Sequence, residues 1–270
     1  MDDILTQIIA NKRIEVNNQK QAVSLDTMLS FGIYRMDRPT VSMRKALENS
    51  SSGIIAEFKR RSPSKGWLHP QAKVKDILPL YEKGGASACS VLTDGDYFGG
   101  SFADLHQARK FVNLPLLRKD FIIDEYQLFQ ARIMGADAIL LIAAGLTQQQ
   151  CAYLAEIAHT LDLEVLLEIH NEAELDYLNP YIDMLGVNNR NLGTFHTAVE
   201  NSFRLVEEMQ QRVGRGESAP LLISESGISD VDVVKGLRTA GFKGFLIGET
   251  FMKTSSPGET LNTFIHQLTV

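Results

Sequence analysis

Residues 115–143, PLLRKDFIIDEYQLFQARIMGADAILLIA, join two short apolar runs through a longer amphipathic segment. The runs PLLRKD and AILLIA have the length of buried strands, whereas DEYQLFQARIMG has the spacing of a helix. Gly135 stands where this helix would end, because glycine adopts the left-handed backbone of a helix C-terminus without a side-chain clash. A strand, a helix and a second strand in this order predict two parallel strands of one sheet.

The same alternation continues from residue 53 to the C-terminus and gives eight strand–helix pairs. The apolar runs are IIAEFK, ACSVLT, PLLRKD, AILLIA, EVLLEI, MLGVNN, LLISES and GFLIGE. Eight pairs within ~220 residues predict an α/β fold, a closed (β/α)₈ TIM barrel, rather than an open doubly wound sheet. The fifth helical segment, EAELDYLNPYI, is the weakest, since Pro180 would end or kink a helix there.

Residues 1–50 precede this alternation and have a helical character of their own. We expect a helix over ILTQIIANKRIEV, a polar connection over residues 19–27, a short helix near Met28 and a loop around Pro39. This N-terminal helical extension is expected to cap one end of the barrel. Residues 51–270 are then a single catalytic domain.

Composition narrows the classes of partner. The chain has 27 Lys and Arg against 33 Asp and Glu, a net charge of −6, so it has no general attraction for nucleic acid or an anionic membrane. Cys89 and Cys151 lack zinc-site spacing and are predicted to be buried, reduced thiols. No apolar run approaches the ~20 residues of a membrane helix, and the start does not resemble a secretory signal. We expect a cytoplasmic protein with a small-molecule substrate and no metal.

Polar side chains stand at the ends of most predicted strands. Glu57 and Lys59 are two positions apart and share a face, whereas His170 is expected to point away from Glu168 and to be structural. The strand-end set is Glu57, Lys59, Lys119, Glu168, Asn188, Arg190 and Glu225. Because a TIM barrel carries its functional groups at the C-terminal strand ends, this set predicts an acid–base site. The alternative is an internal network of ion pairs, Lys59 with Glu57 and Lys119 with Glu168.

Two glycine-containing strand ends predict a phosphate site. SESGI follows strand 7 and FLIGET ends strand 8, which brings Ser226, Gly227, Gly248 and Glu249 to the loops where this fold frequently binds phosphate. Glycine lets backbone N–H groups approach an anion closely.

The chain resembles the indole-3-glycerol phosphate synthase family over nearly its whole length. The blocks that carry the resemblance are IIAEFKRRSPSKG, SVLTDGDYFGGSFADL, LPLLRKDFIIDEYQL, GADAILLI, GVNNRNL and ISESGI, in the family's order and spacing. Trp67 and Asn191 depart from the family's pattern, and neither stands at a proton-transfer position. The resemblance implies that 1-(2-carboxyphenylamino)-1-deoxyribulose 5-phosphate closes its ring and loses carbon dioxide and water. It implies no metal and no organic cofactor, and the chain is expected to be a monomer or weak homodimer.

The chemistry of this reaction suggests a division of roles. The resemblance makes Lys119 the acid that neutralises the ketone oxygen, and a nearby Lys59 is expected to lower the pKa of Lys119. We assign Glu168 as general base, Lys59 as substrate anchor and candidate second acid, and Glu57 as the group that orients the lysines. Asn188 is expected to belong to the catalytic set and to hold the sugar hydroxyls together with Arg190. The expected substrate-binding and phosphate-binding residues are Arg190, Ser62, Phe98, Glu225, Ser226, Gly227, Gly248 and the backbone N–H of Glu249.

Two other functions stay open from the residues. A catalytically silent barrel that binds a phosphorylated metabolite would lack the lysines or Glu168. A phosphoribosylanthranilate isomerase-like barrel would need a Cys and Asp pair at strand ends, which Cys89 and Cys151 do not provide.

Overall fold

The computed structural model describes residues 4–190, 197–214 and 219–270. Asn191 and residues 215–218 lie outside the described residues.

In the described residues, eight parallel strands close into a barrel, which confirms the predicted fold. They are β1 (Ile54–Phe58), β2 (Ala88–Leu92), β3 (Leu116–Lys119), β4 (Ala138–Ile142), β5 (Glu164–Ile169), β6 (Met184–Asn188), β7 (Leu221–Glu225) and β8 (Gly244–Ile247). Each strand pairs with the next along the chain, and β8 closes the barrel against β1, where Ile55 is in register with Leu246.

Alternation along each strand sorts its residues into two apolar layers. One set fills the barrel interior, and examples are Ile55, Leu117 and Ile223. The neighbouring positions, such as Ile54 and Leu116, pack outward beneath the helices. Since both faces of every strand are covered, the strands read as continuous apolar runs in the sequence.

Helices follow the strands in the predicted order. They are α4 (Val74–Lys83), α5 (Phe102–Phe111), α6 (Glu125–Met134), α7 (Gln148–Thr160), α8 (Glu200–Val213), α9 (Val231–Ala240), α10 (Glu249–Met252) and α11 (Pro257–Thr269). The weak fifth segment is a 3₁₀ helix over Glu172–Tyr177, which ends before Pro180 as predicted. Gly135 ends α6 in the left-handed conformation, with φ of 96°.

The N-terminal part has helices α1 (Ile4–Ala22), α2 (Leu25–Met36) and α3 (Met43–Glu48). The polar connection predicted over residues 19–27 is wrong, because α1 continues to Ala22 and α2 begins three residues later. Ser24 makes this tight junction possible by accepting a hydrogen bond from the N–H of Thr27.

The expectation that the extension caps one end of the barrel is also wrong, since it reaches both. Leu5 and Ile8 of α1 line the cavity at the C-terminal strand ends. Leu47 of α3 lies against Gly244, which begins β8 at the opposite end. There the N–H of Arg44 donates to Glu164, the first residue of β5, over 2.8 Å. The division of the chain at residue 50 stays a prediction.

Both cysteines are buried and unpaired, as predicted. Among the described residues, no helix is long and apolar enough to cross a membrane.

Candidate active site

A cavity of about 630 Å³ opens at the C-terminal ends of the strands. Parallel strands all end on the same side of a barrel, so the polar residues that follow the apolar runs converge there. The cavity is lined by Glu57, Lys59, Phe98, Lys119, Glu168, Asn188, Arg190, Ser226, Gly227, Gly248 and Glu249 among the residues predicted from the sequence.

Ion pairs connect the charged groups at the cavity floor. Lys119 Nζ lies 2.8 Å from Glu225 Oε2 and 3.5 Å from Glu168 Oε2. Lys59 Nζ lies 2.5 Å from Glu57 Oε1. The pairing of Lys59 with Glu57 agrees with the sequence. For Lys119 the sequence suggested Glu168, but Glu225 is the nearer partner.

Lys119 is held as a cation. Burial lowers its pKa, but the carboxylates of Glu225 and Glu168 outweigh burial and raise the pKa well above its usual value. The expected lowering by Lys59 is therefore wrong. The physical reason is that Lys59 is paired with Glu57, while three carboxylates, those of Glu225, Glu168 and Glu57, act on Lys119.

The carboxylates differ in their affinity for a proton. Burial raises the pKa of Glu168, yet Lys119 and His170 outweigh it and lower this pKa to about 2. For Glu225, burial and the neighbouring carboxylates raise the pKa to about 7, against the effect of Lys119. Burial likewise raises the pKa of Glu57, but Lys59 and Lys119 bring it below its usual value. The floor thus holds one carboxyl group that titrates near neutral pH beside two that stay ionised.

Two glycines, one in β6 and one directly after β8, make room for these buried carboxylates. A Cβ on Gly186 would stand 2.3 Å from Glu225 Oε1, and a Cβ on Gly248 would stand 2.2 Å from Glu57 Oε1. Both separations are far below van der Waals contact, so any larger residue would displace the carboxylate.

One side of the cavity is apolar. The rings of Phe98 and Phe121 lie 6.0 Å apart. Phe121 belongs to a buried cluster that includes Leu5 and Ile8 of α1, and Phe98 packs against this cluster. This wall offers a flat aromatic ligand a surface away from the charged floor. The contribution of α1 was missed in the sequence, because helical periodicity says which face is buried and not what covers it.

The opposite side carries Arg190 and the ends of β7 and β8. Arg190 Nη1 donates to Ser64 Oγ over 2.8 Å, and its Nη2 lies 3.2 Å from Glu249 Oε2. Ser226 and Gly227 both have positive φ, 66° and 76°. A serine in this conformation is strained, and such strain concentrates at ligand sites.

Two predicted residues are absent from the described lining of the cavity. Ser62 is buried, and its Oγ accepts a hydrogen bond from the N–H of Lys65 over 3.3 Å. It stabilises the loop that carries Ser64 and Lys65 to the cavity, rather than facing the cavity itself. Glu225 is fully buried behind Lys119.

His170 does not point away from Glu168, which corrects the sequence expectation. Its Nε2 lies 3.3 Å from Glu168 Oε1. The two residues are two positions apart, and side chains at that spacing in an extended segment share a side. The sequence therefore contained the signal.

Metal coordination is not suggested by the side chains. Over the described ranges, no group of three or more His, Cys, Asp or Glu residues could hold a metal ion.

The chain is similar in sequence to a known family of enzymes along nearly its whole length. The family model for indole-3-glycerol phosphate synthase matches residues 5–268. A protein of that name from Bacteroides thetaiotaomicron is 61% identical over 265 residues, covering 98% of each chain. One from Neisseria meningitidis is 42% identical over 94% of this chain and 95% of its own.

Solved structures of tryptophan synthase alpha subunits are similar in fold. The Legionella pneumophila subunit gives a TM-score of 0.60 at 12% identity, covering 84% of this chain and 96% of its own. A mutant Pyrococcus furiosus subunit gives 0.58 at 16% identity, covering 80% and 97%. At these identities the likeness concerns the barrel alone.

Proposed function

The chain belongs to the indole-3-glycerol phosphate synthase family, and from that premise we propose a role for each residue of its site. The enzyme is a carboxy-lyase of tryptophan biosynthesis. It closes the ring of 1-(2-carboxyphenylamino)-1-deoxyribulose 5-phosphate and releases carbon dioxide, water and indole-3-glycerol phosphate. The silent barrel and the isomerase-like barrel are not favoured.

Lys119 acts as the acid for ring closure. When the aromatic carbon attacks the ketone, negative charge develops on the ketone oxygen and needs a cationic donor within hydrogen-bond reach. The observation that carries this assignment is the position of the ammonium group, between Glu225 at 2.8 Å and Glu168 at 3.5 Å on the cavity floor. These carboxylates keep the ammonium protonated until the oxygen becomes basic enough to take its proton.

Glu168 acts as the general base. Its carboxylate is ionised in the free site and is the more distant partner of Lys119. As the proton of Lys119 passes to the ketone oxygen, the positive charge beside Glu168 falls and its pKa rises. The base therefore becomes stronger once the acid has acted. The Asn188 side chain helps to lower the pKa of the same carboxylate and so favours its ionised form.

Lys59 anchors the carboxylate of the substrate and serves as a candidate second acid for dehydration. Its ion pair with Glu57 at 2.5 Å holds the ammonium group in the lining of the cavity. A carboxylate that leaves as carbon dioxide must transfer its electrons to the ring, so the anchor cannot bind it tightly throughout.

The remaining groups bind the two ends of the substrate. The wall formed by Phe98 and Phe121 packs against the carboxyphenyl ring. Arg190, Ser226, Gly227 and Gly248 hold the phosphate, and Ser62 supports the loop beside them. Glu225 holds Lys119 instead of contacting phosphate, which its negative charge would repel.

Purified protein tests these roles with 1-(2-carboxyphenylamino)-1-deoxyribulose 5-phosphate as substrate and indole absorbance as readout, without added metal. We expect turnover by the unmodified protein and its loss in Lys119→Ala, with substrate still bound. Glu168→Gln should also lose turnover. Near-normal activity in either variant would remove the corresponding role.

The protein acts in the cytoplasm as a monomer or weak homodimer. Buried thiols at Cys89 and Cys151 support a reducing compartment, and one barrel carries every residue assigned above. Light scattering across a concentration series tests the oligomeric state, because a stable assembly larger than a dimer would contradict it.

A further inference from the structure

His170 occupies a partly buried position between two carboxylates, that of the candidate base Glu168 and that of Glu174. Its Nε2 lies 3.3 Å from Glu168 Oε1, and its Nδ1 lies 3.5 Å from Glu174 Oε2. The side chain is 13% exposed and is not among the described residues that line the cavity. Both contacts are within ion-pair distance, so the ring links β5 to the 3₁₀ helix Glu172–Tyr177.

Hydrogen bonds hold the carboxylate of Glu174 in place, so the contact that His170 makes with it is rigid. Its Oε2 accepts the backbone N–H of His170 over 2.8 Å, and its Oε1 accepts Asn171 Nδ2 over 2.6 Å. On the side of α8, Asn201 Nδ2 donates to the carbonyl of His170 over 3.1 Å. In the described part of the chain, the charged groups that face the imidazole are the carboxylates of Glu168 and Glu174.

We propose that His170 is a positioning residue that fixes the orientation and charge state of Glu168 from behind, through the fixed carboxylate of Glu174. The inference rests on the proposed role of Glu168 as general base. The two oxygens of Glu168 face different partners: Oε2 faces Lys119 and Oε1 faces His170. When the substrate draws Lys119 away, His170 still holds the carboxylate in the same orientation.

The charge of the imidazole supports this arrangement. Burial lowers the pKa of His170, but its contacts with Glu168 and Glu174 outweigh burial and raise the pKa to about 10. An imidazolium at neutral pH keeps Glu168 ionised. Without it, the carboxylate would lose a neighbouring positive charge, and its pKa would rise.

Two substitutions of His170 separate its effect on the orientation of Glu168 from its effect on the charge of Glu168. Gln puts an amide nitrogen near the position of Nε2 and keeps a donor toward Glu168, whereas Asn reaches only the position of Nδ1, toward Glu174. We expect His170→Asn to lower kcat roughly 10-fold to 100-fold with little change in KM, because misplacing a catalytic group costs about this much. His170→Gln should keep most of kcat. In both variants the acidic limb of the kcat profile should move to higher pH.

His159→Asn is the matched control, since His159 Nε2 lies 3.0 Å from Asp183 on the far side of the barrel. It should leave kcat and its pH profile unchanged, and thermal unfolding of each variant shows that it is folded at the assay temperature.

A wild-type kcat and pH profile in His170→Asn would overturn the proposal, as would an equal loss of kcat in both His170 variants. If Glu168→Gln kept full activity, the role of Glu168 would fail first. An inactive Glu168→Gln beside an unaffected His170→Asn would reject the positioning role alone.

Discussion

The ammonium of Lys12, in the first helix, lies 3.0 Å from the carboxylate of Asp120, which directly follows Lys119 in the chain. Lys12 also lies 2.9 Å from Asp94 in the loop after β2, and its side chain is 1% exposed. The N-terminal helix is therefore attached to the barrel through a buried cation beside the active site. Arg118, 2.9 Å from the other oxygen of Asp120, completes this buried network.

Replacing Lys12 by Met should destabilise the protein strongly. Methionine matches the length of the apolar stem but leaves the carboxylates of Asp94 and Asp120 buried without one of their cations. Breaking a buried pair by removing one partner costs about 3–5 kcal/mol. Denaturant unfolding should show a loss of this size, together with a raised KM if detachment of α1 opens the aromatic wall.

Lys20→Met is the control on the same helix. Lys20 pairs with Asp124 at 2.7 Å, but its side chain is 43% exposed. An exposed pair contributes only about 0–1 kcal/mol. Equal losses in the two variants would show that burial of Lys12 is not what stabilises the junction.

The raised pKa of Glu225 predicts a pH dependence of stability. With a pKa of about 7 in the folded protein and an ordinary value of 4.5, the folded state binds a proton that the unfolded chain has lost in this interval. The free energy of unfolding should therefore fall as pH rises through this window. Glu225→Gln removes the titration, so its stability should fall less between about pH 5 and pH 7, by about 2 kcal/mol. Parallel pH profiles for the two proteins would contradict the shift.

The sequence was sufficient to predict the barrel and most of the charged residues that line its cavity. Apolar runs such as AILLIA are long enough for only one crossing of a sheet, and their repetition with helices determines a parallel closed arrangement. The residues at the strand ends then meet because parallel strands finish together. Glu57 and Lys59 could be paired from alternation alone, and the structure has them in contact.

The sequence could not predict which side chains contact each other across the barrel. The pairing of Lys119 with Glu225 depends on the diameter and register of the barrel, so the direction of the lysine's pKa shift was wrong. For Lys12 the sequence contains a signal, since this residue continues the buried stripe of Leu5, Ile8 and Val16 on α1. A lysine in an apolar stripe needs a buried partner, but only the fold shows which carboxylates provide it.

Gly186→Ala should impair catalysis by steric displacement. The new Cβ would stand 2.3 Å from Glu225 Oε1 and 3.1 Å from Leu166 Cδ1, so the buried strand offers no free space. Glu225 would move and release Lys119, and we expect kcat to fall at least ~10-fold. The control is Gly95→Ala, whose Cβ would meet its nearest neighbour, the carbonyl oxygen of Gly100, at 3.7 Å. Unchanged kcat in Gly186→Ala would mean that the position of Glu225 is not critical.

Arg190→Lys should weaken substrate binding more than turnover. Lysine keeps the charge but cannot reproduce a guanidinium that contacts Ser64 at 2.8 Å and Glu249 at 3.2 Å at once. Losing one charge-assisted hydrogen bond costs about 1.5–3 kcal/mol, so KM should rise roughly 10-fold to 100-fold. Arg212→Lys provides the control, because Arg212 is 47% exposed and pairs with Asp176 on the surface.

Inhibition by inorganic phosphate tests which end of the substrate Arg190 binds. If Arg190 holds the phosphate, Arg190→Lys should weaken phosphate inhibition as much as it raises KM, whereas an unchanged inhibition constant would assign Arg190 to the substrate carboxylate.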